Sequence, residues 1–255
     1  MVITEVSGMA GRREPLAVLR AAVDEYGMIE AGDAVAVGVS GGKDSVALLY
    51  LLAQLRRFYP KPFALHAITL DPCFDGEETD YGAIAALCET LDVPYTVRRT
   101  KLWDAVREKM GEHTPCSLCA RLRRGALHKA AVELGCRTVA LGHHEDDAAE
   151  TFLMSLLSGG TLECFAPKSY LDRREITLIR PMVFLKEAEI AAYVRREGLP
   201  VVKSRCPVDG CTNRQQMKDL IASLRPQYGD VAESIVHAMQ KADLHGWGTE
   251  KNDGR

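Results

Sequence analysis

The run from Val37 to Leu49, VGVSGGKDSVALL, places a polar, glycine-rich turn between two apolar segments. The apolar residues before the turn indicate a strand, and those after it continue as a helix. Gly41 and Gly42 can adopt positive φ and let backbone N–H groups approach an anion, and the helix start adds a favourable dipole. The run therefore predicts a phosphate-binding loop at the carboxyl end of a strand.

Strand-like and helix-like segments alternate through most of the chain. Several strand-like segments are apolar at consecutive positions, as in parallel strands covered on both faces. The predicted strands are 33–39, 63–70, 94–99, 137–143 and 176–182. The predicted helices are 15–27, 44–57, 79–92, 117–135, 145–157, 187–197 and 213–242. This order predicts an α/β fold: a doubly wound parallel five-stranded sheet with a C-terminal helical extension. The polar tail, residues 245–255, is expected to fray.

Composition restricts the class of protein. The chain has 255 residues, a net charge of −3 and 47% hydrophobic residues, which is ordinary for a globular protein. We find no apolar run of the ~18 residues that a membrane span needs and no apolar signal segment in the first 15 residues. We therefore expect a cytoplasmic protein without a membrane partner. The chain has eight cysteines. Because that compartment is reducing, cysteines that lie close together in the sequence indicate metal binding or catalysis and not disulfides.

The glycine-rich turn does not match two common nucleotide loops. A Walker A loop needs a glycine where this chain has Val37, and a Ser or Thr where it has Asp44. The dinucleotide pattern G-x-G-x-x-G also fails, because the glycines fall at 38, 41 and 42. The phosphate chemistry must be of another kind.

A second polar segment, GHHEDDAAET (142–151), follows the fourth predicted strand and opens a helix. The adjacent carboxylates of Asp146 and Asp147 repel one another unless a cation lies close, and Mg²⁺ would be that cation beside a triphosphate. The alternative is that these acids only complement the helix dipole.

Cys116 and Cys119 form a C-x-x-C pair at the start of a helix rich in arginine, a setting that favours thiolates. A zinc ribbon would need a second such pair, and the sequence has none. Three cysteines with one open coordination position would suit a [4Fe–4S] cluster.

The hexapeptide SGGKDS resembles the PP-loop of the N-type ATP pyrophosphatases. The segments MIEAGDAVAVGVSGGKDSVALL, CSLCARLRRGAL, ALGHHEDDAAETFLMSLLSGG and IRPMVFLKEAEIAAY together resemble the tRNA 2-thiocytidine synthetase family, over about residues 20–215. The resemblance implies a PP-loop fold, ATP with Mg²⁺, and a three-cysteine [4Fe–4S] cluster. It also implies an enzyme that adenylates the C2 oxygen of a cytidine in the tRNA anticodon loop and replaces it with sulfur.

The resemblance divides the chain into an N-terminal helical segment (1–30), a PP-loop ATP-binding domain (31–205), and a cluster-ligand loop with helices (206–255). The residues implied to bind ATP are Ser40, Gly41, Gly42, Lys43, Asp44, Ser45, Asp71, Gly142, His143, Asp147 and Arg180. For Asp71 and Arg180, the alternative is a purely structural role.

Catalytic roles are implied for Asp44 and Cys206. The implied cluster ligands are Cys116, Cys119 and Cys206. Cys206 is preferred because, counted back from Arg214, it falls on the family's third cysteine. Cys211 is the alternative third ligand.

Four basic residues are candidates for RNA contact: Arg121, Arg123, Arg124 and Lys168. For the three arginines, a solvated helix face is an equally weighted alternative. The implied partners are tRNA and a sulfur donor such as a cysteine desulfurase, and the C-terminal helices are a candidate homodimer contact. The alternative function is a PP-loop iron–sulfur enzyme that thiolates or desulfurises another nucleoside or a small molecule.

Overall fold

The structure, a computed structural model, describes residues 14–108, 116–203, 205–206 and 213–249. Its strands are β1 (Ala34–Gly38), β2 (Ala64–Asp71), β3 (Tyr95–Arg99), β4 (Thr138–Ala140), β5 (Lys168–Leu171) and β6 (Ile176–Ile179). Its helices are α1 (Pro15–Glu25), α2 (Lys43–Arg56), α3 (Gly82–Thr90), α4 (Leu102–Arg107), α5 (Cys116–Glu133), α6 (Glu145–Met154), α7 (Glu187–Arg196), α8 (Asn213–Tyr228) and α9 (Val231–Lys241).

One sheet has the strand order β3-β2-β1-β4-β6-β5. The first five of these strands are parallel, and β5 pairs antiparallel with β6 at one edge. The chain runs from β1 through β2 to β3 in one direction and then returns to β4 on the other side of β1. Because the strand order reverses there, the carboxyl ends of β1 and β4 border a crevice suited to a ligand.

Both faces of the sheet are covered, which explains the consecutive apolar residues in the strands. Val35 and Val37 of β1 pack into the larger core with α1, α2 and α7. Ala36, between them, packs on the opposite face against α5 residues such as Leu127 and Ala131. Successive strand side chains point to opposite faces, so a strand buried on both sides has no polar alternation.

The five predicted parallel strands are all present, and the structure adds a sixth. The short strand β5 was missed because its side chains are at least partly exposed, so the KSYL segment has no buried apolar pattern. The predicted helix 213–242 is two helices, α8 and α9, which Gly229, at a φ of +74°, separates.

The expectation that the tail frays is wrong at Trp247. This side chain is 0% exposed, and its indole N–H donates to the Phe165 carbonyl at 2.7 Å. Side chains of α1 and α9, including Leu19 and Val236, share the larger core with the sheet. The division at residues 30 and 205 stays a prediction. In the part of the chain that the structure describes, no helix is long and apolar enough to cross a membrane.

Candidate active site

A cavity of about 550 Å³ opens at the carboxyl ends of the central strands. Its polar lining comes from segments far apart in the sequence: the turn after β1, the start of α6, the end of β6, and helices α5 and α8. The polar side chains lining it are Ser40, Asp44, Ser45, Arg123, Arg124, His143, Thr151, Arg180 and Arg214. The strand crossover therefore brings most of the predicted ATP-binding residues to one place.

The turn after β1 is held in shape by its own serines. The Ser45 hydroxyl donates to the Gly42 carbonyl at 2.9 Å and accepts the Ser40 backbone N–H at 3.1 Å. Gly41 has a φ of +89°, a left-handed conformation that favours glycine. A Cβ there would also lie 2.9 Å from the Cβ of Val202. The hydrogen bonds of the serines and the close packing at Gly41 therefore fix the shape of the loop.

Gly142 brings the second polar segment against this turn. A Cβ at Gly142 would lie 3.2 to 3.3 Å from backbone atoms of Asp44 and Ser45. The absence of a side chain lets the segment after β4 approach the start of α2 this closely. A larger residue at this position would push the two motifs apart by a few tenths of an ångström.

Lys43 lies in a network of carboxylates at the start of α2. Its ammonium group contacts Asp44 at 2.8 Å and Glu187 at 3.0 Å. Burial lowers the pKa of Lys43, but the hydrogen bonds and charges of these two carboxylates outweigh it and raise the pKa overall. Lys218 of α8 contacts the other Glu187 oxygen at 2.5 Å, so Glu187 links the lysine of the loop to the C-terminal helices.

The start of α6 is fixed by a reciprocal cap. The His144 Nδ1 accepts the Asp147 backbone N–H at 3.3 Å, and the Asp147 carboxylate accepts the His144 backbone N–H at 3.1 Å. Arg214 binds the second Asp147 oxygen and contacts the Thr151 hydroxyl at 3.2 Å. Asp146 has a different partner from Asp147: its carboxylate accepts the Glu187 backbone N–H at 2.7 Å.

His143, Phe165 and Arg180 form a wall of the cavity. The His143 ring lies 4.9 Å from the Phe165 ring, and the Arg180 guanidinium lies over the same ring at 4.9 Å. Arg180 is only 7% exposed. Burial lowers its pKa to about 10 and lowers that of His143 to about 4. Among the described residues, the buried atoms His143 Nδ1 and Arg180 Nε have no hydrogen-bond partner.

Two of the predicted cluster cysteines pack against one apolar cluster. Cys119 and Cys206 pack against the same apolar cluster of Phe74, Trp103 and Val106. Arg205 binds Glu77, which attaches the Cys206 segment to the turn that follows β2. The Cys116 side chain and all of Cys211 lie outside the described residues, so the choice between Cys206 and Cys211 stays a prediction.

Some predicted site residues have other contacts in the structure. Asp71 is fully buried and accepts the backbone N–H groups of Cys73 and Thr79 at 3.1 and 2.9 Å. Lys168 lies at the start of β5 and donates to the Gly27 carbonyl. Neither residue lines the cavity, and neither does the exposed Arg121. Their roles in binding ATP or RNA stay predictions.

Sequence reasoning missed Phe165 and Thr151 and used Arg214 only for counting. Phe165 lies in a segment with no regular structure, and its position depends on Trp247 and Arg180. Arg214 lies only eight residues after Cys206 in the sequence, and this short separation was the available signal.

Comparison with known proteins identifies the family. A family model described as a PP-loop domain matches residues 18–222. The tRNA-cytidine(32) 2-sulfurtransferase of Geobacter sulfurreducens is 40% identical over 221 residues, covering 86% of this chain and 85% of the relative. The enzyme of the same name from Syntrophotalea carbinolica is 39% identical with the same coverage.

A solved structure supports the fold. The U34-tRNA thiolase NcsA from Methanococcus maripaludis, with its [4Fe–4S] cluster, superimposes with a TM-score of 0.69 at 24% identity. The match covers 89% of this chain and 77% of that one. The chain is therefore an enzyme of the PP-loop family and belongs, within it, to the tRNA-cytidine 2-sulfurtransferase family.

Proposed function

We propose that this chain is an ATP-dependent tRNA sulfurtransferase, which adenylates the C2 oxygen of a cytidine in the anticodon loop and replaces that oxygen with sulfur. The observation that carries the proposal is the position of α5. Ala120, Arg123 and Arg124 of this helix line the same cavity as Ser40 and Ser45. Cys119, directly before Ala120 in the sequence, packs with Cys206 against the apolar cluster of Phe74, Trp103 and Val106. One nucleobase in this cavity can therefore be both activated by ATP and supplied with sulfur.

Activation begins with attack of the C2 oxygen on the α-phosphate of ATP. The new oxygen–phosphorus bond forms as the bond between the α- and β-phosphates breaks, and pyrophosphate leaves. The Ser40–Ser45 loop would receive the leaving group with its backbone N–H groups, as anion-binding turns do. Lys43 would exchange Glu187 for phosphate oxygens.

The carboxylates of Asp44 and Asp147 would hold Mg²⁺ together with phosphate oxygens, in agreement with its preference for oxygen ligands. Both approach the same His144 ring, at 4.0 and 3.4 Å. Mg²⁺ there would offset the charge that builds up on the leaving pyrophosphate.

The wall of His143, Phe165 and Arg180 would orient the nucleotide or the target base. His143 stays neutral near pH 7, because burial lowers its pKa to about 4. It can therefore form a hydrogen bond without adding charge. Arg180 stays charged even with its lowered pKa and would attract a phosphate.

Cys116, Cys119 and Cys206 would hold the iron–sulfur cluster. Thiolate donors and the apolar packing around Cys119 and Cys206 fit such a group. The cluster would supply the sulfur for the replacement at C2. A carbon–sulfur bond would form at C2 as the bond from C2 to the activated oxygen breaks, and AMP would leave.

The substrate would be a single-stranded loop, because a stacked base cannot expose its C2 oxygen to the cavity. Arg123 and Arg124 line the cavity and would guide the backbone of this loop. Arg121 and Lys168 would contact RNA further out, and a cysteine desulfurase would supply sulfur.

Mass spectrometry of tRNA nucleosides tests this function. Cells without the gene should lack 2-thiocytidine, and the wild-type gene should restore it, whereas Asp44→Asn should not. Unchanged 2-thiocytidine in cells without the gene would contradict the proposal and favour another nucleoside or a small molecule as substrate.

A further inference from the structure

Trp103 lies in the apolar cluster that contains the cysteines. It is in α4, is 5% exposed, and packs with Phe74 at 5.0 Å between ring centroids in an edge-to-face arrangement. Cys119 and Cys206 pack against these same residues. The apolar cluster that contains the indole is therefore also contacted by two cysteines from distant parts of the chain.

The indole N–H of Trp103 is buried and, among the described residues, has no hydrogen-bond acceptor. A buried donor without a partner costs about 1–3 kcal/mol, so most tryptophans of this kind find an acceptor. The other tryptophan does so, because Trp247 donates to the Phe165 carbonyl. The side chains of the apolar neighbours Phe74 and Val106 contain no acceptor for Trp103.

Sulfur bound to iron would supply the missing acceptor. Thiolate and sulfide sulfurs carry negative charge, and hydrogen bonds to them are one of the ways in which a protein sets the potential of an iron–sulfur cluster. Reduction adds negative charge to such a cluster, so a nearby N–H donor stabilises the reduced state more than the oxidised one.

We propose that the Trp103 indole N–H donates a hydrogen bond to a sulfur of the centre bound by Cys119 and Cys206, and that it raises the reduction potential of that centre. Trp103 is then a positioning residue. The proposal rests on the proposed function, because it needs an iron–sulfur cluster at these cysteines.

A redox titration of the anaerobically purified protein tests this role. Trp103→Phe keeps an aromatic ring and removes the donor. At a fixed potential, we expect its ratio of reduced to oxidised cluster to fall about two- to tenfold, equal to about 20–60 mV for a one-electron couple. Phe74→Leu is the matched control, because it alters the same packing but keeps the donor, and it should not lower the potential.

A second measurement does not depend on Trp103→Phe assembling a cluster. In protein with ¹⁵N-indole-labelled tryptophan, pulsed electron paramagnetic resonance of the reduced cluster should detect ¹⁵N coupling, and Trp247→Phe should retain it. A [4Fe–4S] cluster without this coupling, or with the same potential in Trp103→Phe, overturns the role of Trp103 alone. Wild-type protein that holds zinc or no iron overturns the cluster and the proposed function with it.

Discussion

At the scale of single residues, Gly142 tests whether the two polar motifs must touch. Gly142→Ala puts a methyl group 3.2 to 3.3 Å from the backbone of Asp44 and Ser45. We expect the free energy of unfolding to fall by about 1–2 kcal/mol and ATP binding to weaken about tenfold. Chemical denaturation and calorimetric titration with ATP measure both quantities.

Gly125→Ala is the matched control for this prediction. A Cβ there meets nothing closer than Arg174 at 3.9 Å, and the position is inside α5. Alanine should stabilise that helix by about 0.5–1 kcal/mol. Equal ATP affinity in both variants and the wild type would show that the close approach at Gly142 is not needed.

Glu145 gives a pH-dependent prediction. It is 5% exposed, and burial raises its pKa to about 7. Between about pH 4.5 and 7 the folded state therefore binds more protons at this group than the unfolded state does, and its contribution lowers stability as the pH rises. Glu145→Gln should raise the free energy of unfolding at pH 8, by up to about 3 kcal/mol, and change it little at pH 4.5.

Urea denaturation at both pH values checks the prediction. Glu89→Gln, in an exposed position of α3, serves as the control and should show little difference between them. A Glu145→Gln variant that is no more stable than the wild type at pH 8 would mean that Glu145 carries no buried charge.

At the same scale, the sequence reveals residues whose chemistry depends on near neighbours. The turn from Ser40 to Ser45 is recognisable because its glycines and serines act on their own backbone. Phe165 is not recognisable, since its place beside His143 depends on Arg180 and Trp247 from other parts of the chain.

At the scale of elements, α8 connects the cysteine segment to both nucleotide motifs. Arg214 and Lys218 are four residues apart and so lie on one face of the helix. The first binds Asp147 and the second binds Glu187, the partner of Lys43. The helix that follows Cys206 in the sequence therefore also contacts both nucleotide motifs.

Arg214→Gln should remove the ion pair between α8 and Asp147 of α6. We expect the rate of AMP formation with tRNA to fall tenfold or more, equal to about 1.4 kcal/mol, because Asp147 loses its charged partner. Arg225→Gln, an exposed position of the same helix, should leave the rate unchanged. If the two variants had equal rates, α8 would have no part in the ATP site.

Elements with buried apolar patterns were predictable, and those defined by long-range pairing were not. The central strand β1 carries consecutive buried apolar residues from Val35 to Val37, so it stands out in the sequence. The edge strand β5 has no such pattern and exists because it pairs with β6. The sequence likewise gives no sign that Trp247, in a polar tail, fills the core.

At the scale of the whole molecule, activation and sulfur transfer should be separable. Cys206→Ser should lose most of its iron and all thiolation of tRNA, but keep the ATP affinity of the wild type, because Cys206 does not line the cavity. Cys211→Ser should keep its iron. Iron and sulfide assays with ATP titration measure this, and the reverse result would assign Cys211 as the third ligand.

The fate of the cytidine oxygen tests the central claim most directly. If the C2 oxygen attacks the α-phosphate, it leaves with AMP when sulfur takes its place. With tRNA carrying ¹⁸O at C2 of its cytidines, mass spectrometry should find one ¹⁸O in AMP for each cytidine thiolated. Unlabelled AMP, with ¹⁸O released to water or found in pyrophosphate, would contradict adenylation of the base.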